Sequence, residues 1–281
     1  MFLIRHQEVL TGETTLLEVE APRVARKAKA GHFVVVRANE QGERIPLTIA
    51  DWDRDQGTVT LVVQAIGKTT REMMKLRSGD HMIDLLGPLG IPTEVGEYGT
   101  VVCVCGGFGR APLYPIAKVQ KEAGNRVIII TGARTASLNF WEDRLRQASD
   151  EFLVTTDEGS AGRKGLVTHE MQRLIDDGVK LDLVYAIGPA IMMKATCDVT
   201  RPHGIRTMVS LNPIMVDGTG MCGGCRVMVG GESRFACVHG PEFDGHLVDF
   251  EGLMKRQRMY KSEEQVALQR TCALEEASRR Q

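Results

Sequence analysis

The sequence predicts an α/β plus all-β protein: an antiparallel barrel, then a parallel-sheet domain, then a small C-terminal lobe. Three observations carry that prediction. Short alternating or β-branched runs fill the first third of the chain, strands and helices alternate from Gly99 onward, and three of the seven cysteines gather in one glycine-rich stretch. At 281 residues the chain has room for about two domains of ~100–200 residues each.

The runs His32–Arg37, Gly57–Gln64 and His81–Leu85 are separated by turn residues, with a short helix expected near Thr69–Lys75, and so residues 1–96 read as the barrel. From there Thr100–Cys105 is a continuous apolar strand and Ala111–Ala123 a helix. Arg126–Thr131, Phe152–Thr155 and Leu183–Ile187 supply further strands, with a helix near Leu166–Asp177. Strands alternating with helices imply a parallel sheet with right-handed crossovers, assigned to residues 97–200. Residues 201–250 are rich in glycine and cysteine with little periodicity and form the small lobe. The charged tail 251–281 is expected to be helical. Its Leu253, Met254, Met259, Tyr260, Val266, Leu268 and Leu274 pack on this chain or on a partner, or else sit on a solvated end.

Composition removes several function classes. Lys+Arg 35 against Asp+Glu 36 gives a net charge of -1, so no long-range field draws the chain to nucleic acid or an anionic membrane. No apolar run approaches the ~18 residues of a membrane helix. The N-terminal stretch, broken at Arg5 and Glu8, lacks the pattern of a signal peptide. An odd cysteine count in a chain this long does not suit a disulfide framework, and the expected setting is cytoplasmic with reduced thiols.

Cys103, Cys105, Cys197 and Cys272 lie scattered on apolar or helical segments and read as small core residues. The other three form Cys222-Gly-Gly-Cys225 followed by Cys237. A two-residue gap brings both thiolates of a glycine turn toward metal, and the glycine amides are free to face sulfur. With His239 nearby, a structural zinc site is one reading. Plant-type [2Fe–2S] proteins space their first ligands Cys-x4-Cys-x2-Cys, however, and five residues before Cys222 stands Asp217. The second reading is therefore a [2Fe–2S] cluster on Asp217, Cys222, Cys225 and Cys237, with a carboxylate as the fourth donor. A turn role for Asp217, beside Gly218, is the plain alternative.

Nucleotide chemistry is suggested by glycines at strand ends. Gly106, Gly107 and Gly109 follow the strand Thr100–Cys105 and lead through Ala111 and Pro112 into a helix, a geometry that offers backbone amides to a pyrophosphate. Gly188 and Pro189 make a second such turn after Leu183–Ile187. Arg134 and Asp157, past two intervening strands, fall where a ribose and adenine would lie, and Arg134 leaves NAD and NADP both open. In the barrel, Arg44 and Thr48 flank Pro46 and Leu47 on one strand face. There a guanidinium suits phosphate and a hydroxyl suits the polar edge of a flavin. Gly67, Thr69 and Thr70, at an expected helix start, add amides and hydroxyls.

Taken in order, Arg44-x-x-Leu47-Thr48, Gly67-x-Thr69-Thr70, Gly87-Pro88-Leu89-Gly90, Gly106-Gly107-x-Gly109-x-Ala111-Pro112, Gly188-Pro189 and the cysteine loop resemble the ferredoxin-NADP reductase superfamily. More narrowly, they are similar to the electron-transfer subunits of dihydroorotate dehydrogenase B and their relatives. Asp217 and the long chain beyond Cys237 favour the branch of NADH-dependent reduced ferredoxin:NADP oxidoreductase small subunits, also called sulfide dehydrogenase β subunits. The resemblance implies FAD on the barrel, NAD(H) on the parallel sheet and a [2Fe–2S] cluster in the lobe. It also implies a heterodimer with a larger flavoprotein carrying FAD and [4Fe–4S] clusters, and flavin-based electron bifurcation. No acid–base or nucleophilic catalytic side chain is required. The alternatives are a dihydroorotate dehydrogenase B electron-transfer subunit and, from another class, a zinc-stabilised interaction protein without redox activity.

Overall fold

The computed structural model describes residues 1–269. The first sheet is built from β1 (Phe2–Thr11), β2 (Thr14–Glu20), β3 (Phe33–Arg37), β4 (Ile45–Asp53), β5 (Thr58–Gln64), β6 (His81–Met82) and β7 (Asp84–Leu89). They run in the order β6-β1-β2-β5-β4-β3-β7, every pairing antiparallel, and form a nearly closed barrel. Alternation does the sorting. Val59, Leu61 and Val63 of β5 point inward with Ile4, Leu17, Val19, Val34, Val36 and Ile49, which fills the barrel with branched aliphatic side chains. Two short helices, α1 (Pro22–Ala25) and α2 (Lys68–Met73), bury Val24 and Met73 in the same core.

The second sheet is formed by β8 (Thr100–Gly106), β9 (Arg126–Ala133), β10 (Glu151–Thr156), β11 (Arg163–Lys164), β12 (Leu183–Ile187) and β13 (Arg206–Ser210), all parallel. Helices α3 (Arg110–Glu122), α4 (Glu142–Gln147), α5 (Val167–Asp176) and α6 (Ala190–Thr200) connect them. Because helices cover both faces, β8 is apolar at every central position. Val101, Cys103 and Cys105 pack toward Leu113 and Ile116 of α3, while Val102 and Val104 pack toward Val167 and Met171 of α5. The expected role of the scattered cysteines is seen at Cys103, Cys105 and Cys197, all buried free thiols. Burial pushes Cys105 and Cys197 up to about 12, which leaves them unreactive. Cys272 and Leu274 lie outside the described residues.

Beyond residue 200 the chain has more regular structure than its weak periodicity suggests. β13 continues the parallel sheet, and β16 (Glu242–Asp244) returns from the lobe to pair antiparallel with β13. Between them lie the hairpin β14 (Arg226–Val229) and β15 (Glu232–Phe235) and the single turn α7 (Ala236–His239). Helix α8 (Phe250–Gln257) buries Phe250 and Leu253 in the lobe core and packs on β14 and α6. Asp249 caps α8, its Oδ1 accepting the Gly252 N–H at 2.9 Å. The following helical stretch, 261–269, is largely exposed, as are Met259, Tyr260 and Val266. Among the described residues no helix is long and apolar enough to cross a membrane.

Candidate functional site

Pairing of β8 with β12 places their carboxyl ends side by side, Cys105 opposite Ile187. The two glycine turns therefore meet. A methyl group on Gly188 would stand 3.1 Å from the Gly106 nitrogen, and one on Gly109 only 2.3 Å from the Ile187 carbonyl oxygen, so Gly109 must lack a side chain for α3 to start this close to β12. Helices α3 and α6 both begin here without a side-chain cap and without an acidic residue in the first turn. Their leading amides remain available to an anion. Arg134 and Asp157 are both exposed just past β9 and β10 along the same edge.

On the barrel, Thr48 is half-buried in β4 opposite Phe33 of β3, and Pro46 pairs with Val35. Arg44 stands one residue before β4, its Nη2 3.5 Å from Asp84 Oδ2, which Arg37 holds at 2.9 Å. Thr70 is occupied locally. Its hydroxyl accepts the N–H groups of Ile66 and Gly67 at 3.0 and 2.9 Å and fixes the start of α2. Thr69 is buried, and Gly67 faces open space. Gly87 sits on β7 against Val34.

The lobe gathers its donors in two pairs. Asp217 Oδ1 accepts the Thr219 N–H and Oδ2 the Cys222 N–H, each at 2.9 Å, which ties the carboxylate to the first cysteine of the loop. These amides, that of Thr219 foremost, hold the Asp217 carboxyl below its ordinary range, and it stays ionised at neutral pH. The second pair is Cys225 and Cys237, both buried, with sulfurs 3.1 Å apart. Amides face sulfur in both halves: Gly224 N–H toward Cys222 Sγ at 3.4 Å and Cys237 N–H toward Cys225 Sγ at 3.5 Å. His239 is engaged elsewhere, accepting the Phe235 N–H at 3.0 Å and stacking on that ring.

Among the described residues no three His, Cys, Asp or Glu side chains converge on one point. A single zinc ion needs four donors converging in that way. A [2Fe–2S] cluster would take four donors and amides turned to sulfur, and Asp217, Cys222, Cys225 and Cys237 with the Gly224 and Cys237 amides suit that chemistry. The loop also lies directly on the barrel. Gly218, with φ +74°, leaves no room for a methyl group, which would stand 2.7 Å from Leu89 and 2.9 Å from Val35.

Residues 212–249 match the family model described as the iron–sulfur cluster binding domain of dihydroorotate dehydrogenase B, and residues 103–198 match that of the oxidoreductase NAD-binding domain. A dihydroorotate dehydrogenase B electron transfer subunit homolog from Thermotoga maritima is 49% identical over 252 residues, covering 90% of this chain and 89% of the relative. The electron transfer subunit from Desulforamulus reducens is 32% identical over 246 residues, covering 85% of this chain and 93% of its own. The chain belongs to the family of dihydroorotate dehydrogenase B electron-transfer subunits and their homologues. Within it, a solved structure of an NADH-dependent reduced ferredoxin-NADP oxidoreductase, reported for flavin-based electron bifurcation, superposes with a TM-score of 0.92. It is 46% identical and the match covers 97% of this chain and 98% of that one. The chain is thus an oxidoreductase subunit of ferredoxin-reductase-like fold, with NAD(H), FAD and an iron–sulfur cluster as its cofactors. An electron-transfer subunit implies a larger partner subunit.

Sequence reasoning passed over three side chains near these sites. Arg110, the only charged residue between β8 and Lys118, is fully buried, its Nη2 donating to Asn139 Oδ1 at 2.6 Å while Nε and Nη1 have no partner. Glu242 of β16 accepts the Thr93 hydroxyl at 2.6 Å, where the barrel, the segment leading to β8 and the lobe meet. Arg256 of α8 reaches the cysteine loop. None has a local signal, since each acts through a contact distant in sequence.

Proposed function

We propose that this chain is the electron-transfer subunit of a flavin-based electron-bifurcating NADH-dependent reduced ferredoxin:NADP oxidoreductase. In the cytoplasm it exchanges hydride between NAD(H) and FAD and passes single electrons through a [2Fe–2S] cluster to or from a larger flavoprotein with FAD and [4Fe–4S] clusters. The observation that supports this branch is the near full-length likeness to the bifurcating oxidoreductase, together with a carboxylate at the position of the first cluster ligand.

When bound, the three groups supply two-electron hydride exchange, conversion between pairs and single electrons, and one-electron carriage. The protein's part is placement. Arg44 anchors flavin phosphate, and Thr48, beside Pro46 and Leu47, meets the polar edge of the flavin ring. The segments around Gly67, Thr69 and Thr70, and around Gly87, border the same cradle. The first turns of α3 and α6, opened by Gly106, Gly107, Gly109, Ala111 and Pro112 and by Gly188 and Pro189, hold the dinucleotide. Arg134 and Asp157 flank its ribose and adenine. Asp217, Cys222, Cys225 and Cys237 would hold the cluster. Residues 1–96, 97–200 and 201–250 then serve as FAD, NAD and cluster units, with 251–281 as the tail. No side chain has to act as acid, base or nucleophile.

Absorption spectroscopy of the purified protein tests this reading: flavin bands with iron–sulfur shoulders, bleached anaerobically by NADH, are expected. A colourless protein with stoichiometric zinc would refute it, and recovery with a dihydroorotate-oxidising subunit would move the chain to the other branch. Asp217→Ala is expected to change the cluster's EPR spectrum; an unchanged spectrum removes Asp217 from the ligand set.

A further inference from the structure

Helix α8 lies outside the cluster loop yet is bonded both to the segment that leads into it and to the loop itself. Gln257 Nε2 donates to the Asn212 backbone oxygen at 3.0 Å, where the chain enters the lobe. Arg256 Nη2 donates to the Gly224 carbonyl oxygen at 3.1 Å, inside Cys222-Gly-Gly-Cys225. To reach it, Arg256 lies along a cavity of about 250 Å³ lined also by Arg226, Val227, Met228, Asp249 and Leu253. Its Nε is buried there without a partner. A guanidinium held in this way is costly unless its remaining bond matters.

A trans peptide sends its carbonyl oxygen and its N–H in opposite directions. Holding the Gly224 oxygen toward α8 therefore turns the Cys225 N–H away from α8. Gly224, where an added methyl group would come no nearer than 3.5 Å to its neighbours, leaves that peptide free to turn on its glycine side, and the Arg256 bond adds a constraint there.

We propose that Arg256 is a positioning residue for the iron–sulfur cluster: it locks the Gly224–Cys225 peptide with its N–H toward the sulfur side and adds a fixed positive charge behind the loop. The inference rests on the reading that the lobe carries a cluster. Amide donors and a nearby cation both stabilise the more negative, reduced state.

The test compares Arg256→Gln, Arg256→Lys and Gln257→Ala in the complete complex, reading iron content, the EPR spectrum of the reduced cluster and its midpoint potential, with flavin absorbance as an internal control. Arg256→Gln is expected to keep its flavin spectrum, change the EPR g-values and shift the potential negative. Arg256→Lys, which keeps the charge but not the fork, is expected to shift it less. Gln257→Ala is expected to match wild type in all three readouts. Wild-type EPR and potential in Arg256→Gln would overturn the proposal, as would equal iron loss in Arg256→Gln and Gln257→Ala, which would make α8 a general support only. Absence of a cluster from the wild-type complex would instead refute the underlying functional reading.

Discussion

In the parallel sheet, β8 buries Val101 through Cys105 without a break, with α3 on one face and α5 on the other. In the lobe, the cysteine loop carries Gly218, Gly220 and Gly223 at positive φ, exposes Met221 and Cys222, and is held by backbone bonds to Asp217 and Arg256. The first region is ordered by apolar side chains and presents its cofactor site at an edge. The second buries Cys225 and Cys237 in its core while Cys222 stays exposed, and it is held by polar bonds as much as by apolar packing. Burial pushes the Cys237 thiol up to about 12, with Cys225 adding to the effect, so the thiol keeps its proton at neutral pH, and metal binding there would have to release it.

Removing iron with a chelator should separate the two regions most. The cluster absorbance should vanish and hydrogen exchange over 212–249 should rise to the level of an open loop, while amides of β8 and β9 keep their protection. Next in size, Ile129→Ala empties a fully buried site in the sheet and should cost about 2–5 kcal/mol in urea unfolding, with iron content unchanged in the folded protein. Gly218→Ala should do the reverse: a loss of roughly 2 kcal/mol from strained φ and contact with Leu89 and Val35, accompanied by poor cluster retention.

The smallest effect tests the junction between the two regions. Burial raises the Glu242 carboxyl from 4.5 to about 7, against a weaker opposing pull from the Thr93 hydroxyl. The folded state thus keeps a proton that the unfolded chain releases, and the fold loses stability as pH climbs from about 4.5 to 7. Glu242→Gln keeps an acceptor for Thr93 without the charge. Its stability relative to wild type should rise across that window, measured as the pH dependence of the urea midpoint.

How much of this was legible in the sequence follows the same division. The sheet was readable because its order is local and periodic: Leu183–Ile187 is the strand as expected, and the helix expected at Ala111–Ala123 is α3 within one residue. The glycine turns at Gly106 and Gly188 were expected at one carboxyl edge of the sheet, and the pairing of β8 with β12 brings them together there. In the lobe, cysteine spacing pointed to an iron–sulfur unit, which the family match over residues 212–249 bears out, because ligand chemistry fixes spacing even where side-chain periodicity is missing. Strands β13 and β16 were hidden, since Arg206-Thr-Met-Val-Ser has only two apolar residues and β16 spans three residues in all. Arg256 and Glu242 were beyond reach because a lone charged residue on an amphipathic segment looks solvated until its distant partner is known.

The return of β16 to the parallel sheet bears on how such a chain can be divided. Cutting after β13 to remove the cluster unit would strip the cover from that strand and leave an unpaired row of N–H and C=O groups at the sheet's edge, a template for pairing with another copy. The lobe is therefore not a detachable module. A reductase core shortened at residue 210 would need a new edge strand, or charges along β13, to stay monomeric.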